Sequence, residues 1–119
     1  MESLHFATEF HNITYSDIEY FRNCKPAVNN FLNDLFQKTC HTKEDDIYFN
    51  DTIENADYIE IDKTSFTKML NYIRRLDKNE IVLTCDDVDY TAGEIQSILT
   101  YMRNNSPENT VDIILTWYE

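Results

Sequence analysis

Residues 83–94 read LTCDDVDYTAGE, and the interpretation of this stretch decides the predicted fold. It begins in an uncharged run, 81–85, that has the length and composition of a buried strand. It contains three carboxylates, those of Asp86, Asp87 and Asp89. Thr91 and Glu94 then match the capping box with which many helices begin, since the hydroxyl accepts from a free amide and the glutamate reaches back. The stretch therefore predicts a strand, a short acidic connection and a helix.

The sequence on both sides extends this alternation. Residues 58–61 and 111–118 predict strands, and the strand at 81–85 is expected in the centre of the sheet because it lacks charge. One predicted helix, capped by Thr64, carries an apolar stripe of Phe66, Met69, Leu70, Ile73 and Leu76. The other carries a stripe of Ile95, Ile98, Leu99 and Met102. From residue 58 the order is thus strand, helix, strand, helix, strand.

Connections this short favour right-handed crossovers between parallel strands. We therefore predict a single domain, residues 1–119, of the α/β class, with a C-terminal βαβαβ unit of layered sheet and helices and with N-terminal helices. The alternative is an α+β fold with a mixed or antiparallel sheet to which N-terminal strands are added.

The N-terminal half predicts shorter elements. Residues 4–10 alternate weakly and predict a short edge strand. A second capping box, 16–19, precedes apolar residues at helical spacing. Pro26 interrupts this pattern because it lacks an amide donor and crowds the preceding turn. We therefore expect either a kink there or two helices, the longer from about Pro26 to Lys38. Residues 47–49 predict a short strand at most.

Cysteine and glycine counts restrict the class of protein. Cys24, Cys40 and Cys85 are odd in number and include no C-x-x-C pair, which favours free thiols in a reducing cytoplasm. The single glycine, Gly93, excludes phosphate-binding loops built on several glycines and the G-x-S-x-G elbow. No run approaches the roughly 18–20 apolar residues of a membrane span. A soluble cytoplasmic protein is expected.

Charge is unevenly distributed along the chain, whose formal net charge is −12. Residues 44–62 hold eight acids and no base, and residues 85–119 hold seven acids and one arginine. Residues 1–43 contribute −1, whereas residues 63–84 contribute +3. A chain this acidic repels nucleic acid and anionic lipid and attracts basic surfaces. Solubility is the other explanation for such a charge.

One enzyme motif occurs, in Asp87-Val88-Asp89-Tyr90-Thr91, which fits the D-x-D-x-T pattern of haloacid-dehalogenase-type phosphatases. In these enzymes the first aspartate attacks phosphorus, and a downstream lysine and a later acidic pair complete the site. No lysine and no paired acids follow Thr91. The histidines also lie outside any metal-ligand spacing: His5, His11 and His41. We therefore expect no catalytic activity and no cofactor.

A metal site is a further possibility at the ends of the predicted strands. In a parallel sheet Asp62, Asp86 and Asp87 would share the carboxyl edge, where ligands of α/β proteins bind and where oxygen ligands suit hard cations. These aspartates would equally satisfy free amides and face the positive ends of the next helices. We favour the second interpretation and expect no metal.

Tyrosine lies beside carboxylates at four positions, Tyr48, Tyr58, Tyr90 and Tyr118. This mixture suits the binding of arginine and lysine, although each ring could also be an ordinary strand aromatic. The predicted partner interface combines the two acidic regions and comprises Glu44, Asp45, Asp46, Tyr48, Asp51, Glu54, Asp57, Asp86, Asp87, Asp89 and Tyr90.

The chain resembles the small immunity proteins of bacterial contact-dependent inhibition and related polymorphic-toxin systems. The resemblance lies in length, acidity, an Asn-, Ile- and Tyr-rich composition, and the stretch from Cys85 to the closing Leu115-Thr116-Trp117-Tyr118-Glu119. It implies stoichiometric neutralisation of a cognate toxin domain, such as a nuclease with a basic cleft, and it carries over no functional residue. The alternative function is a phage-encoded DNA mimic that inhibits a host nuclease or restriction enzyme, which predicts carboxylates in a row at phosphate-like intervals.

Overall fold

The computed structural model describes residues 2–9 and 14–119, which form helices and two antiparallel sheets around one apolar core. The helices are α1 (Lys25–Thr39), α2 (Lys63–Arg74) and α3 (Ala92–Asn105). The strands are β1 (Ser3–Glu9), β2 (Thr14–Tyr15), β3 (Ile47–Phe49), β4 (Tyr58–Asp62), β5 (Ile81–Cys85), β6 (Val88–Thr91) and β7 (Asp112–Tyr118). The layered sheet-and-helix architecture is confirmed, in the form of the α+β alternative.

The main sheet has five strands in the order β2-β1-β7-β4-β3, and every neighbouring pair is antiparallel. The expected parallel crossovers are therefore wrong. Between β4 and β7 the chain forms a hairpin as well as two helices, and this extra reversal returns β7 antiparallel to β4. β1 is confirmed as a strand but lies inside the sheet rather than at its edge; Phe10, where the predicted strand ended, lies outside the described residues.

The hairpin formed by β5 and β6 contains the acidic residues Asp86, Asp87 and Asp89. β5 pairs only with β6, in a separate two-stranded sheet, so its expected central position is wrong. Asp86 and Asp87 connect the two strands with φ of 50° and 62°. Positive φ at both central residues is typical of the tight turns of β-hairpins, and aspartate tolerates it better than most residues. Two of the three carboxylates thus belong to a turn.

The helix starts follow local hydrogen bonding. Asp62, not Thr64 as predicted, caps α2, and its carboxylate accepts from the Ser65 amide at 3.1 Å. The capping box of α3 is confirmed, because Thr91 Oγ1 accepts from the Glu94 amide and Glu94 Oε1 accepts from the Thr91 amide. The helix predicted from about residue 26 is confirmed as α1.

The expected capping box at residues 16–19 is wrong. Ser16 Oγ accepts from the Ile18 amide at 3.0 Å, which closes a local turn. The chain then bridges from Tyr20 to Leu4 of β1 before α1 begins. Pairing with an existing strand has overridden the local helix signal at this point.

The three helices pack on the same face of the main sheet. β4 and β7 direct Ile59, Ile61, Ile113, Leu115 and Trp117 into the core between sheet and helices. Trp117 Nε1 donates to Asn29 Oδ1 of α1 at 2.9 Å. The fully buried Asn29 in turn donates to the carbonyls of Ile53 and Ala56, at 2.8 and 3.0 Å. One buried amide therefore joins β7, α1 and the β3–β4 connection.

A disulfide joins Cys24, immediately before α1, to Cys85 at the end of β5. The expectation of free thiols is wrong for this pair and holds for the buried Cys40. The 61-residue separation gave no local signal, because only the tertiary fold brings the two Cα atoms within 5.7 Å. The bond fixes the hairpin against the start of α1.

Removal of this bond with the pair Cys24→Ala and Cys85→Ala should lower the free energy of unfolding by about 2–4 kcal/mol, because the unfolded chain regains the entropy of a long closed loop. Urea unfolding of the oxidised protein and of the double variant measures the difference. Reductant should shift the midpoint of the parent protein only. Equal midpoints for the oxidised parent and the double variant would contradict a stabilising role.

Candidate functional site

One face of the main sheet points away from the three helices, and we call it the open face. Side chains alternate along a strand, and β4 and β7 use one set of positions for the core. The other set lies on the open face with residues from the three remaining strands. It comprises Ser3, His5, Ala7, Tyr15, Tyr48, Tyr58, Glu60, Asp62, Asp112, Ile114, Thr116 and Tyr118, of which Ser3, Ala7 and Ile114 are buried. Asp46, directly before β3, continues this face next to Asp62. Aromatic rings, carboxylates and hydroxyls dominate this set.

The part of the open face near β1 and β2 is aromatic. The ring of Tyr118 packs edge-on against Tyr15 at 5.0 Å and against His5 at 5.4 Å between centroids. Thr116 Oγ1 donates to the phenol oxygen of Tyr15 at 3.0 Å. Burial and the neighbouring Tyr15 raise the pKa of Tyr118. These contacts pack the rings against one another while Tyr118 stays 43% exposed.

The part near β3 and β4 is acidic. Asp62 and Asp112 lie directly opposite each other in the β4–β7 register, where like charges destabilise a sheet. Burial raises the pKa of Asp112, and the nearby charges of Glu60, Asp62 and Asp46 raise it further. In residues 2–9 and 14–119, none of these four carboxylates has a Lys, Arg or His nitrogen within 4.0 Å. The negative charge of this cluster is therefore uncompensated by ion pairing within the described structure.

Tyr58 connects the aromatic and acidic parts. Its hydroxyl donates to Glu60 Oε1 at 2.5 Å, and burial together with this bond raises the pKa of the phenol. The phenol thus remains protonated at neutral pH and fixes the Glu60 carboxylate. One oxygen of Glu60 is engaged by this bond, which leaves the other to accept from a partner.

The predicted interface residues fall into different environments. Asp46 and Tyr48 lie on the open face, and Tyr48 is 51% exposed. Asp45, in contrast, is part of the protein's own framework, because its side chain is only 2% exposed and accepts from Lys68 at 2.8 Å and from Ser65 at 2.8 Å. Hydrogen bonding to Lys68 holds the pKa of Asp45 well below its usual range. Asp45 has little capacity to contact a partner.

The remaining acids of the first region are exposed and lie next to β3. Glu44 precedes the strand, and Asp51, Glu54 and Asp57 lie between β3 and β4. Asp57 forms an ion pair with Lys25 at 2.7 Å, at the first residue of α1. The connection therefore touches the same end of α1 that carries the disulfide.

The second acidic region lies on the hairpin. Within the described residues the carboxylates of Asp86 and Asp87 form no hydrogen bond or ion pair, whereas Asp89 accepts from Thr84 Oγ1 at 2.7 Å. Tyr90 packs against Phe21 at 5.0 Å, and burial raises its pKa. Asp86 and Asp87 do not cap a helix as expected; they form the turn and leave their charges in solvent.

The residues of the predicted interface did not include six residues of the open face: Tyr15, Tyr58, Glu60, Asp62, Asp112 and Tyr118. The sequence had nevertheless marked Tyr58 and Tyr118 as suited to binding arginine and lysine, and Glu60 and Asp62 as part of the acidic region 44–62. The signal was present as the alternation of polar and apolar residues in 58–62 and 112–118. Alternation of this kind is typical of an antiparallel sheet with one exposed face, whereas the predicted parallel sheet would have been covered on both faces.

The three residues that match the D-x-D-x-T motif each have a role in the local structure. Asp87 lies in the hairpin turn, Asp89 accepts across the hairpin and Thr91 caps α3. In the part of the chain that the structure describes, no three His, Cys, Asp or Glu side chains converge closely enough to hold a metal ion. His11 lies outside that part.

Comparison with protein-family models, with curated proteins and with solved structures finds no match for this chain. Among the described residues, no helix combines the length and the apolar character that a membrane-spanning helix requires.

The acidic cluster predicts a pH-dependent stability. Because the folded-state pKa of Asp112 is raised, stability associated with its protonated form is complete below the ordinary aspartate pKa of about 3.9 and is lost as the pH rises through the folded-state value. Asp112→Asn should therefore raise Tm at pH 7 and leave it nearly unchanged near pH 3. Calorimetry at the two pH values, with the exposed Asp17→Asn as control, measures this. A lower Tm for Asp112→Asn at pH 7 would show that the ionised carboxylate stabilises the fold.

Proposed function

We propose that this protein is an immunity protein that binds a basic toxin domain stoichiometrically through the open face. The observation that supports the proposal is the combination of packed tyrosines with four carboxylates that have no cationic partner among the described residues. A partner that supplies arginine or lysine would pair these carboxylates and cover the rings. The class of toxin that fits this chemistry best is a nuclease with a basic substrate cleft.

The energetics favour binding over catalysis. Like charges on the open face repel each other in the isolated protein, and a basic partner removes this repulsion when it binds. Tyrosines such as Tyr48 and Tyr118 supply large, rigid contact surfaces, a residue type that is frequent at the energetic centres of interfaces. Carboxylates in a nuclease cleft occupy the positions of phosphates and speed the encounter electrostatically. A protein that acts in this way requires no cofactor and no turnover.

A second candidate function, a phage-encoded DNA mimic, is favoured by one observation. Asp112 of β7 and Asp62 of β4 lie side by side, and Asp46, directly before β3, continues the row across neighbouring strands that are about 4.8 Å apart. A DNA mimic would inhibit several unrelated nucleases or restriction enzymes, because it copies their common substrate. An immunity protein would inhibit one toxin and leave the others active.

The disulfide bears on the location of the protein. The sequence predicts a cytoplasmic location because no apolar run is long enough for a membrane span and because its cysteines favour free thiols. Cys24 and Cys85 are bonded, however, and disulfides persist chiefly in oxidising compartments. We therefore infer that the disulfide forms in an oxidising compartment such as the periplasm or the cell surface, while the cytoplasmic location stays a prediction.

Neutralisation of the open face should slow partner binding. The triple variant Asp46→Asn, Glu60→Gln and Asp112→Asn should associate about tenfold more slowly with the partner at low salt, because electrostatic steering is lost. The partner is first isolated by affinity capture from the producing strain and identified by mass spectrometry. Stopped-flow association at low and high salt then gives the rate, and the parent protein should show the steeper salt dependence.

A matched control removes three exposed acids elsewhere, through Asp17→Asn, Asp34→Asn and Asp77→Asn. This variant has the same net charge as the triple variant and should keep most of the parental rate. Equal slowing in both variants would mean that only net charge matters, and no slowing in either would place the interface elsewhere. Asp45 is left intact in both, since it anchors Lys68.

The inferred compartment has its own test. Cells that produce the protein are quenched in acid, and free thiols are alkylated under denaturing conditions and counted by mass spectrometry. We expect one alkylated cysteine, Cys40, per chain, because the other two are bonded. Three alkylated cysteines would indicate the reducing cytoplasm instead.

A further inference from the structure

Two adjoining cavities lie on the helix side of the molecule, away from the open face. The first, of about 340 Å³, lies between α1, the C-terminal end of α2 and the start of β5. The second, of about 320 Å³, lies between α1 and α2. Lys38 and Tyr72 line both cavities, so the two are parts of one depression. We call it the α1–α2 groove.

The first part of the groove combines apolar side chains with polar surface. Its apolar lining consists of Phe31, Leu35, Tyr72, Ile73, Leu76, Ile81 and Val82. Ile81 is 55% exposed, which is high for a large aliphatic side chain next to a cavity. Two exposed acids, Asp34 and Glu80, also line this part. It offers an apolar ligand a contact surface and repels negative charge.

The second part of the groove is cationic. Lys38, Lys68 and Arg75 line it together with Thr39, Asn71 and Tyr72, and no carboxylate does so. Lys68 is paired with Asp45, but Lys38 and Arg75 have no carboxylate within 4.0 Å in residues 2–9 and 14–119. The ammonium of Lys38 lies 5.2 Å from the ring centroid of Tyr72, at the junction of the two parts.

Helix dipoles account for only some of these cations. Lys38 lies in the last turn of α1, where a positive charge is favourable, and Arg75 follows the last residue of α2. Lys68 lies in the middle of α2, where the helix dipole has little effect. The three cations nevertheless meet in one groove of a protein with a net charge of −12, in which exposed acids far outnumber the bases.

We propose that the α1–α2 groove binds a small amphipathic anion, with its charged group at Lys38 and Arg75 and its apolar body along Ile81 and Leu76. The cavity volumes lie at the lower end of the range for small-molecule sites. Asp34 and Glu80 exclude the charged group from the first part of the groove, so the ligand has one favoured orientation. This site is independent of the open face and does not rest on the proposed function.

The parent protein tests both halves of this proposal with three probes. Sodium octanoate has the charged group and the apolar body, sodium acetate has only the charged group, and 1-octanol has only the apolar body. Titrations followed by ¹⁵N–¹H correlation spectra should show saturable shifts at groove residues, with octanoate at least tenfold tighter than either of the others. Equal affinity for octanoate and 1-octanol, or shifts confined to residues outside the groove, would overturn the proposal.

Matched variants then locate the charged group. The pair Lys38→Gln and Arg75→Gln should weaken octanoate binding tenfold or more and leave 1-octanol unchanged. The control pair Lys43→Gln and Arg22→Gln makes the same chemical changes outside the groove and should bind octanoate as the parent does. If both pairs of substitutions weakened octanoate binding equally, the effect would come from net charge alone, and the proposed site would be refuted. The three-probe comparison on the parent decides the matter even if a variant does not fold.

Discussion

The antiparallel register between β4 and β7 is the constraint on which the rest of the structure depends. It pairs Ile61 with Ile113 and Ile59 with Leu115, so both strands present aliphatic side chains to the helices on the same face. A slip of one residue would exchange the two faces and expose the core. Trp117 strengthens the register, because its indole bonds the buried Asn29, which also holds the β3–β4 connection. The same register necessarily brings Asp112 opposite Asp62 on the open face.

The acids of this protein divide into those that the fold requires and those that it tolerates. Asp62 starts α2, Glu94 completes the cap of α3, and Asp45 gathers Lys68 and Ser65 behind β3. Replacing any of these removes hydrogen bonds from the folded state. Glu60 and Asp112, in contrast, lie among like charges on a surface that no helix covers. Both are half-buried, and their cost to the fold is explained if, as we propose, a basic partner pairs them.

Local signals in the sequence predicted much of the local structure, although the capping box at 16–19 and the cap at Thr64 were wrong. The stripes of α2 and α3, the cap at Thr91 and the strand at 112–118 follow from spacing and hydrogen-bonding chemistry within a few residues. Topology was mispredicted at one point, where the acids at 86 and 87 were interpreted as the entry to a helix although they form a hairpin turn. Aspartate suits both positions, so the sequence alone did not separate them. The disulfide was missed for a related reason, since it depends on where that hairpin packs.

The sequence predicted which types of residue form the candidate site, but it predicted only some of their positions. Acidic segments with tyrosines indicated a basic partner, and Asp46 and Tyr48 lie on the open face, through which we propose that such a partner binds. Glu60 and Asp112 joined the site only once the open face was known, because they come from strands 50 residues apart in sequence. Asp45 is the opposite case. It belongs to the most acidic segment of the sequence, yet its carboxylate is bound by Lys68 within the fold.

The central claim is that carboxylates on the open face are held near one another without cations until a basic partner pairs them. The carboxyl pKa of Asp112, followed by ¹³C NMR in the free protein and in the complex with the captured partner, tests this most directly. The account predicts a value above the ordinary aspartate range in the free protein and a clear decrease in the complex, because nearby cations favour the charged form. An ordinary value in the free protein, or the same value in both states, would contradict it.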